Sequence, residues 1–285
     1  MPEGRKKGFM SIERYEQLLV EARNMEISKL KLYITSEPSL HPDFDEMINL
    51  AKRMNFKIFI STNASTIYKH IDAFKKIDVI QFSVEGWDKE SYEKYRTPLK
   101  FDRVFNSMKQ YLDQARSVNQ LTSIHLPLTK NTNLEKFMLL WGDMVDQVRI
   151  DFMQPANIYS QGVMDAGMND LLAEDYYDFK RIDKDFSCFD PFEEITVGYD
   201  GKILLCCLDF SGSYELGHID DGLQAVHTSE SMKKIRNQFY TQKMDICKDC
   251  SSFYKPSKEA VEAVRDQIDT FERLHKVRAK ILFQG

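Results

Sequence analysis

The sequence predicts an α/β fold: a parallel sheet flanked by helices, followed by a small domain of hairpin and helix. Three observations carry that expectation. Short apolar runs alternate with stretches of helical period as far as residue 152. The ends of successive apolar runs are rich in hydroxyl, amide and carboxylate groups, where parallel sheets place their ligands. All five cysteines (Cys188, Cys206, Cys207, Cys247 and Cys250) fall beyond that alternating part.

The elements follow in order. Ser11 caps a helix whose stripe is Ile12, Tyr15, Leu18, Leu19 and Ala22. A strand over 30–34 runs into the turn Thr35-Ser36-Glu37-Pro38, and Pro42 opens a helix continued by Phe44, Met47, Ile48 and Ala51. The unit repeats: a strand over 57–60, the turn Ser61-Thr62-Asn63 and a helix over 67–77. A third strand over 79–84 ends in Glu85-Gly86 and leads to helices near 88–95 and 101–117. Strands over 121–126 and 145–152 enclose a helix near 133–141. A lone polar residue at a strand end often only caps the following helix. Three consecutive ends carrying Ser36 and Glu37, Ser61 and Asn63, then Ser83 and Glu85 point instead to a small-molecule site.

Past residue 180 the pattern changes. EITVGY and KILL alternate around Asp200-Gly201, which predicts a hairpin with a two-residue turn. Cys206 is expected to end its second strand. Neighbouring strand residues face opposite ways, so only one of Cys206 and Cys207 can join a common site with Cys188, Cys247 and Cys250. Four thiolates suit zinc or an iron–sulfur cluster. A helix is expected near 229–239 and an amphipathic one over 257–277, with Ser257 as its cap; 280–285 receives no element. The expected organisation is a barrel over 1–180, a cysteine domain over 181–256 and a helical tail over 257–285.

Composition narrows the function. A chain of 285 residues with a net charge of −5 gives no reason to expect nucleic acid as a partner. No apolar run approaches the roughly 18 residues a membrane span needs, and no charged-then-apolar leader opens the chain. So few cysteines in so long a chain argue against a secreted disulfide scaffold, and a reducing cytoplasm is expected.

Taken together, Cys188, Gly201-x4-Cys206, the Cys207-Leu-Asp tail, Leu216-Gly217-His218-Ile219, Ile235-Arg236 and Cys247-x-x-Cys250 resemble the SPASM/Twitch region of radical S-adenosylmethionine (SAM) enzymes. The upstream part is similar to their partial (βα)6 barrel. Thr35-Ser36-Glu37-Pro38 stands where the family has Gly-Gly-Glu-Pro, Ser61-Thr62-Asn63 matches its S/T-x-N element, and Phe82-Ser83-Val84-Glu85-Gly86 matches its S-x-D-G element. Arg96 falls where a SAM-facing arginine is common.

The resemblance implies SAM binding through Glu37, Ser61, Asn63, Ser83 and Arg96, and one auxiliary 4Fe-4S cluster on Cys188, Cys206, Cys247 and Cys250, leaving Cys207 over. It implies an oxidoreductase in which a 5′-deoxyadenosyl radical takes hydrogen from a small substrate, a sugar or aminocyclitol by preference. The auxiliary cluster would take up an electron, and a flavodoxin or ferredoxin would supply the reducing one. A peptide-modifying enzyme, and a binding protein that keeps the fold and the auxiliary cluster, are the other readings. The family's C-x-x-x-C-x-x-C, which holds the SAM-cleaving cluster, does not occur in the sequence. In relatives it lies just upstream of a segment like 4–11, so the first strand and its cysteine loop are expected ahead of Met1, with the barrel N-terminally truncated.

Overall fold

The computed structural model describes residues 8–34, 36–114, 116, 119–153, 179–181, 190–207, 209, 212, 214–240, 250 and 254–284. In chain order these form α1 (Ile12–Asn24), β1 (Lys29–Leu32), α2 (Phe44–Arg53), β2 (Lys57–Thr62), α3 (Ile71–Phe74), β3 (Val79–Ser83), α4 (Lys89–Tyr95) and α5 (Phe101–Gln114). There follow β4 (Leu121–Leu128), α6 (Leu134–Trp141), β5 (Gln147–Phe152), β6 (Thr196–Val197), β7 (Lys202–Leu204), β8 (Glu215–His218), α7 (Leu223–Thr228) and α8 (Glu230–Tyr240). The chain closes with α9 (Lys258–Leu274) and β9 (Lys280–Gln284). Residues 29–153 and 256–285 make one compact unit; residues 1–28 and 154–255 make the other.

The larger unit is a six-stranded parallel sheet in the order β1-β2-β3-β4-β5-β9. Its strands alternate by design of the sequence. Ile58, Ile60 and Thr62 of β2, Ile80 and Phe82 of β3, and Val148, Ile150 and Phe152 of β5 are buried. Their neighbours on the opposite face are half-exposed and largely polar: Ser61, Gln81, Ser83, His125, Arg149 and Asp151. One face is therefore core and the other is open to ligands. Trp141 anchors the core among Phe101, Phe105 and Phe137, and its indole donates to the Gly86 carbonyl at 2.9 Å.

Two aspartates staple the amino-terminal end of this sheet. Asp78, just before β3, accepts from the Ile58 amide and from Lys52 Nζ, both at 2.8 Å. Asp146, just before β5, accepts from the amide and hydroxyl of Thr122 at 2.9 Å and pairs with Arg116. Burial alone would raise the Asp146 pKa, but the Arg116 and Thr122 donors outweigh it and hold the carboxyl below its ordinary value. A carboxyl with a depressed folded pKa stabilises the protein above its unfolded value of about 3.9, and that stabilisation is lost as pH falls through the folded value. Wild type is expected to exceed Asp146→Asn by about 2 kcal/mol in urea unfolding at pH 7, with the gap closing towards pH 3.

Three local expectations are corrected. Residues 280–284, given no element, form the sixth strand, with Ile281 opposite Val148 and Phe283 opposite Ile150. Five residues carry too short a pattern to read alone; β5 supplies the missing hydrogen-bond partner. The helix expected over 67–77 breaks at His70 into a 3-10 turn over Ile67–Lys69 and α3. The hairpin turn holds three residues rather than two, as described below.

In the smaller unit β6, β7 and β8 form an antiparallel sheet. The Gly198 amide donates to the Lys202 carbonyl at 2.8 Å and the Gly201 amide to the Gly198 carbonyl at 3.0 Å, so Tyr199, Asp200 and Gly201 make the loop. Gly201, at φ +88°, takes the left-handed position that ends such a three-residue turn. Helix α1 ties to this unit through Arg14, which donates to the Asp200 carbonyl at 3.2 Å, and Glu21, which accepts from the Leu223 amide at the start of α7 at 2.5 Å.

Candidate functional site

Glu37 leaves β1 and caps the 3-10 turn Pro38–Leu40. Its Oε1 accepts from the Ser39 amide at 3.2 Å, from the Ser39 hydroxyl and from Thr62 Oγ1 at 2.8 Å; Oε2 accepts from the Asn63 amide at 2.6 Å. The carboxylate is thus a clasp between the ends of β1 and β2. Thr62, 1% exposed, is its buried anchor, and also accepts from the Ala64 amide. A carboxylate has about four lone-pair positions, two on each oxygen. Oε1 is saturated by its three donors, while Oε2 keeps one position for an incoming cation.

The end of β2 is tightly turned. Ala64, fully buried, sits at φ +59°, a conformation that costs a side chain roughly 1–2 kcal/mol. Asn63 Oδ1 accepts from the Ser65 amide at 2.9 Å. Its Nδ2 has no partner among the described residues, so it remains a donor for a ligand. Ser61 and Ser83 link their hydroxyls at 3.1 Å across β2 and β3.

After β3 the chain passes Glu85 and Gly86. Arg96, which ends α4, donates through Nε to Glu85 Oε2 in a partly buried ion pair. Its remaining guanidinium nitrogens are the groups left to face a ligand. Gly86 lies at φ +131°, and an added Cβ would stand 2.5 Å from Tyr92 Cα. The S-x-E-G turn therefore needs glycine on both conformational and steric grounds.

Two further groups on the open face escaped the sequence reading. His125 of β4 and Asp151 of β5 pair at 2.7 Å between Nε2 and Oδ2. Arg149 of β5 donates across β4 to Gln81 Oε1 of β3 at 3.2 Å. The signal was present in the polar alternate positions of LTSIHLPL and QVRIDF.

In the smaller unit, Cys206 lies two residues beyond β7 instead of ending it. Cys206 is half-buried, Cys207 exposed and Cys250 half-buried. Cys188 and Cys247 lie outside the described residues, as does Thr35 in the larger unit. Among the described residues no three His, Cys, Asp or Glu side chains gather as a metal site. Local contacts brace the hairpin that leads to Cys206. His218 Nε2 donates to the Asp200 carbonyl at 2.8 Å, and a Cβ on Gly217 (φ +155°) would meet Val226 at 2.8 Å. Asp209, 1% exposed, accepts from the Tyr214 amide at 3.0 Å. Arg236 of α8 donates to the His227 carbonyl at 3.0 Å and lies over the Phe192 ring. Burial first, then the Arg236 charge, lowers the His227 pKa. Arg236 thus ties α8 to α7.

Comparison with known proteins completes the picture. Residues 2–139 match the family model of the radical SAM superfamily, and residues 188–251 match that of SPASM, an iron-sulfur cluster-binding domain. No curated protein matches the chain. Among solved structures, BtrN in complex with AdoMet and 2-DOIA is similar at a TM-score of 0.51 and 14% identity, over 86% of this chain and 82% of that one. Streptococcus suis SuiB bound to precursor peptide SuiA is similar at a TM-score of 0.59 and 14% identity, over 83% of this chain and 62% of that one. For anSMEcpe with bound AdoMet and the Cp18Cys peptide the values are 0.58 and 15%, over 86% and 82%. At such identities the likeness is one of fold. No helix among the described residues is long and apolar enough to cross a membrane.

Proposed function

We propose, from the premise that this chain is a radical SAM protein with a C-terminal SPASM domain, that it binds SAM at the carboxyl ends of β1–β3 and that, completed by the C-x-x-x-C-x-x-C its own sequence lacks, it serves as an oxidoreductase on a small hydroxylated ring. The observation that carries the reading is the Glu37 clasp, with one acceptor position left on Oε2. That position fits the ammonium of SAM. Asn63 Nδ2 and the linked Ser61 and Ser83 hydroxyls fit its carboxylate and ribose, and Arg96, paired with Glu85 after β3, is the further donor that the family resemblance supplies. SAM, bound with a 4Fe-4S cluster, supplies a carbon radical strong enough to take hydrogen from an unactivated C–H bond.

The residues before Cys188 supply no thiolate. The resemblance assigns Cys188, Cys206, Cys247 and Cys250 to a cluster in the SPASM domain. The half-burial of Cys206 against the exposure of Cys207 favours Cys206 as the ligand. Anaerobically reconstituted protein is expected to contain about four iron and four sulfide per chain and to retain SAM in equilibrium dialysis. Cys206→Ser is expected to lose most of that iron, and Cys207→Ser to keep it. One zinc per chain in place of iron would overturn the cluster.

A peptide substrate is the second reading, because SuiB and anSMEcpe, which share the fold, were each solved with a peptide. The dense hydroxyl, amide and imidazole groups of the open face favour the small ring. With no C-x-x-x-C-x-x-C in its sequence, the chain by itself is expected to form no 5′-deoxyadenosine from SAM and dithionite. An enzyme is separated from a binding protein by repeating the incubation with a segment carrying that motif fused ahead of residue 1, 5′-deoxyadenosine forming in the first case only.

A further inference from the structure

We propose that His125 and Asp151 form the substrate-binding proton acceptor of the open face, and that the ligand they recognise is a neutral polyol. The proposal rests on the SAM reading above and names the substrate class of the same site. The pair stands near the carboxyl ends of β4 and β5, on the face that holds Ser61 and Ser83. Both side chains are 27% exposed, enough to meet a ligand and too little to be merely solvated.

Asp151 accepts at His125 Nε2 at 2.7 Å, and an ionised carboxylate can only accept there. The neutral imidazole is thereby held with its proton on Nε2 and its lone pair on Nδ1. Nδ1 has no partner among the described residues of the chain. A carboxylate that orients an imidazole in this way prepares its other nitrogen to take a proton. The proton of a bound hydroxyl passes to Nδ1, and the electron pair of the broken O–H bond stays on the substrate oxygen. The imidazolium so formed keeps its Nε2–H on Asp151.

The surroundings indicate what carries that hydroxyl. Among the described strand residues flanking His125, the charged groups are Asp151 and Arg149, both on β5 and of opposite sign; β3 offers the uncharged Gln81 and Ser83. Asp151 holds His125 and one Arg149 nitrogen donates to Gln81, so these strands present no net charge that would select an anion or a cation. Donors and acceptors alternate over a few ångströms, an arrangement that suits the hydroxyl pattern of a sugar-like ring.

Long-range 1H–15N spectra of the full chain test this, with myo-inositol and N-acetylglucosamine as neutral polyol probes and an alanine-rich hexapeptide as the contrast. In its neutral form His125 is expected to show an unprotonated Nδ1 and a protonated Nε2. Millimolar myo-inositol or N-acetylglucosamine, added with SAM, is expected to move the Nδ1 resonance, and the hexapeptide to leave it. Asp151→Asn is expected to mix the two tautomers and weaken the inositol response about tenfold. A protonated Nδ1 in wild type, or no response to either polyol while SAM still binds, overturns the proposal. A response to the hexapeptide alone overturns the substrate class. If SAM itself fails to bind, the reading beneath the proposal falls and takes the proposal with it.

Discussion

Glu37→Gln is expected to lower the affinity for SAM by roughly ten- to a hundredfold while the protein stays folded. The two oxygens of Glu37 do different work. Oε1 gathers Ser39 and Thr62, and Oε2 takes the Asn63 amide with one position to spare. A glutamine turns its single oxygen towards the three donors on the Oε1 side. Its NH2 then confronts the Asn63 N–H and the incoming ammonium, donor against donor. A hydrogen bond to a charged group is worth about 1.5–3 kcal/mol, and each 1.4 kcal/mol is tenfold in affinity. Glu37→Ala adds a structural loss, because Thr62 and Ser39, 1% and 2% exposed, lose their acceptor. It is expected to cost about 1–3 kcal/mol of stability besides the SAM site. Calorimetric titration with SAM and urea unfolding separate the two variants. Unchanged SAM affinity in Glu37→Gln would remove the clasp from the binding site.

The second large effect is expected at Gly86→Ala, a loss of about 2–5 kcal/mol in unfolding free energy from backbone strain and overpacking together. The φ of +131° is poorly open to a side chain, and the methyl would meet the backbone of Tyr92 at 2.5 Å. Neither conflict yields by rotating a flexible neighbour, since the obstruction is main chain at the second turn of the Asp88-capped helix α4. Relief would come only by moving the turn, which also carries Glu85 and hence Arg96. The Gly86 carbonyl would then leave the Trp141 indole, a buried donor with no water to replace it. Lower SAM affinity should accompany the lower urea midpoint, and a midpoint like wild type would show that the turn can shift freely.

The strands and the first three strand ends were legible because their pattern is local. Period-two burial in KIFIST and VIQFS, and the polar cluster after each, lie within ten residues of sequence. The clasp was legible by residue type but not by partner. Nothing local says that Glu37 meets Thr62, since the contact depends on β1 lying beside β2 in the sheet. His125 and Asp151 stand 26 residues apart, and neither carries a motif. Only the parallel register that sets Pro127 beside Asp151 brings them into reach. The sixth strand was hidden for the same reason, its identity lying in β5 and not in its own five residues. The hairpin turn was misjudged by one residue because Asp-Gly also ends a three-residue loop. Cys188 and Cys247, half of the expected ligand set, lie outside the described residues.

The aspartate staples separate two economies within one sheet. At the amino-terminal end, Asp78 and Asp146 lock neighbouring strands through main-chain hydrogen bonds. On the open face, His125 pairs with Asp151 and Arg149 with Gln81, side chain to side chain. Replacing a residue of that face therefore leaves the strand register untouched, and such surface-facing changes typically fall within about 0.5 kcal/mol of neutral. That face is free to drift. A lineage carrying this sheet could exchange one substrate for another by altering three or four side chains, without first gaining stability to spend on the change.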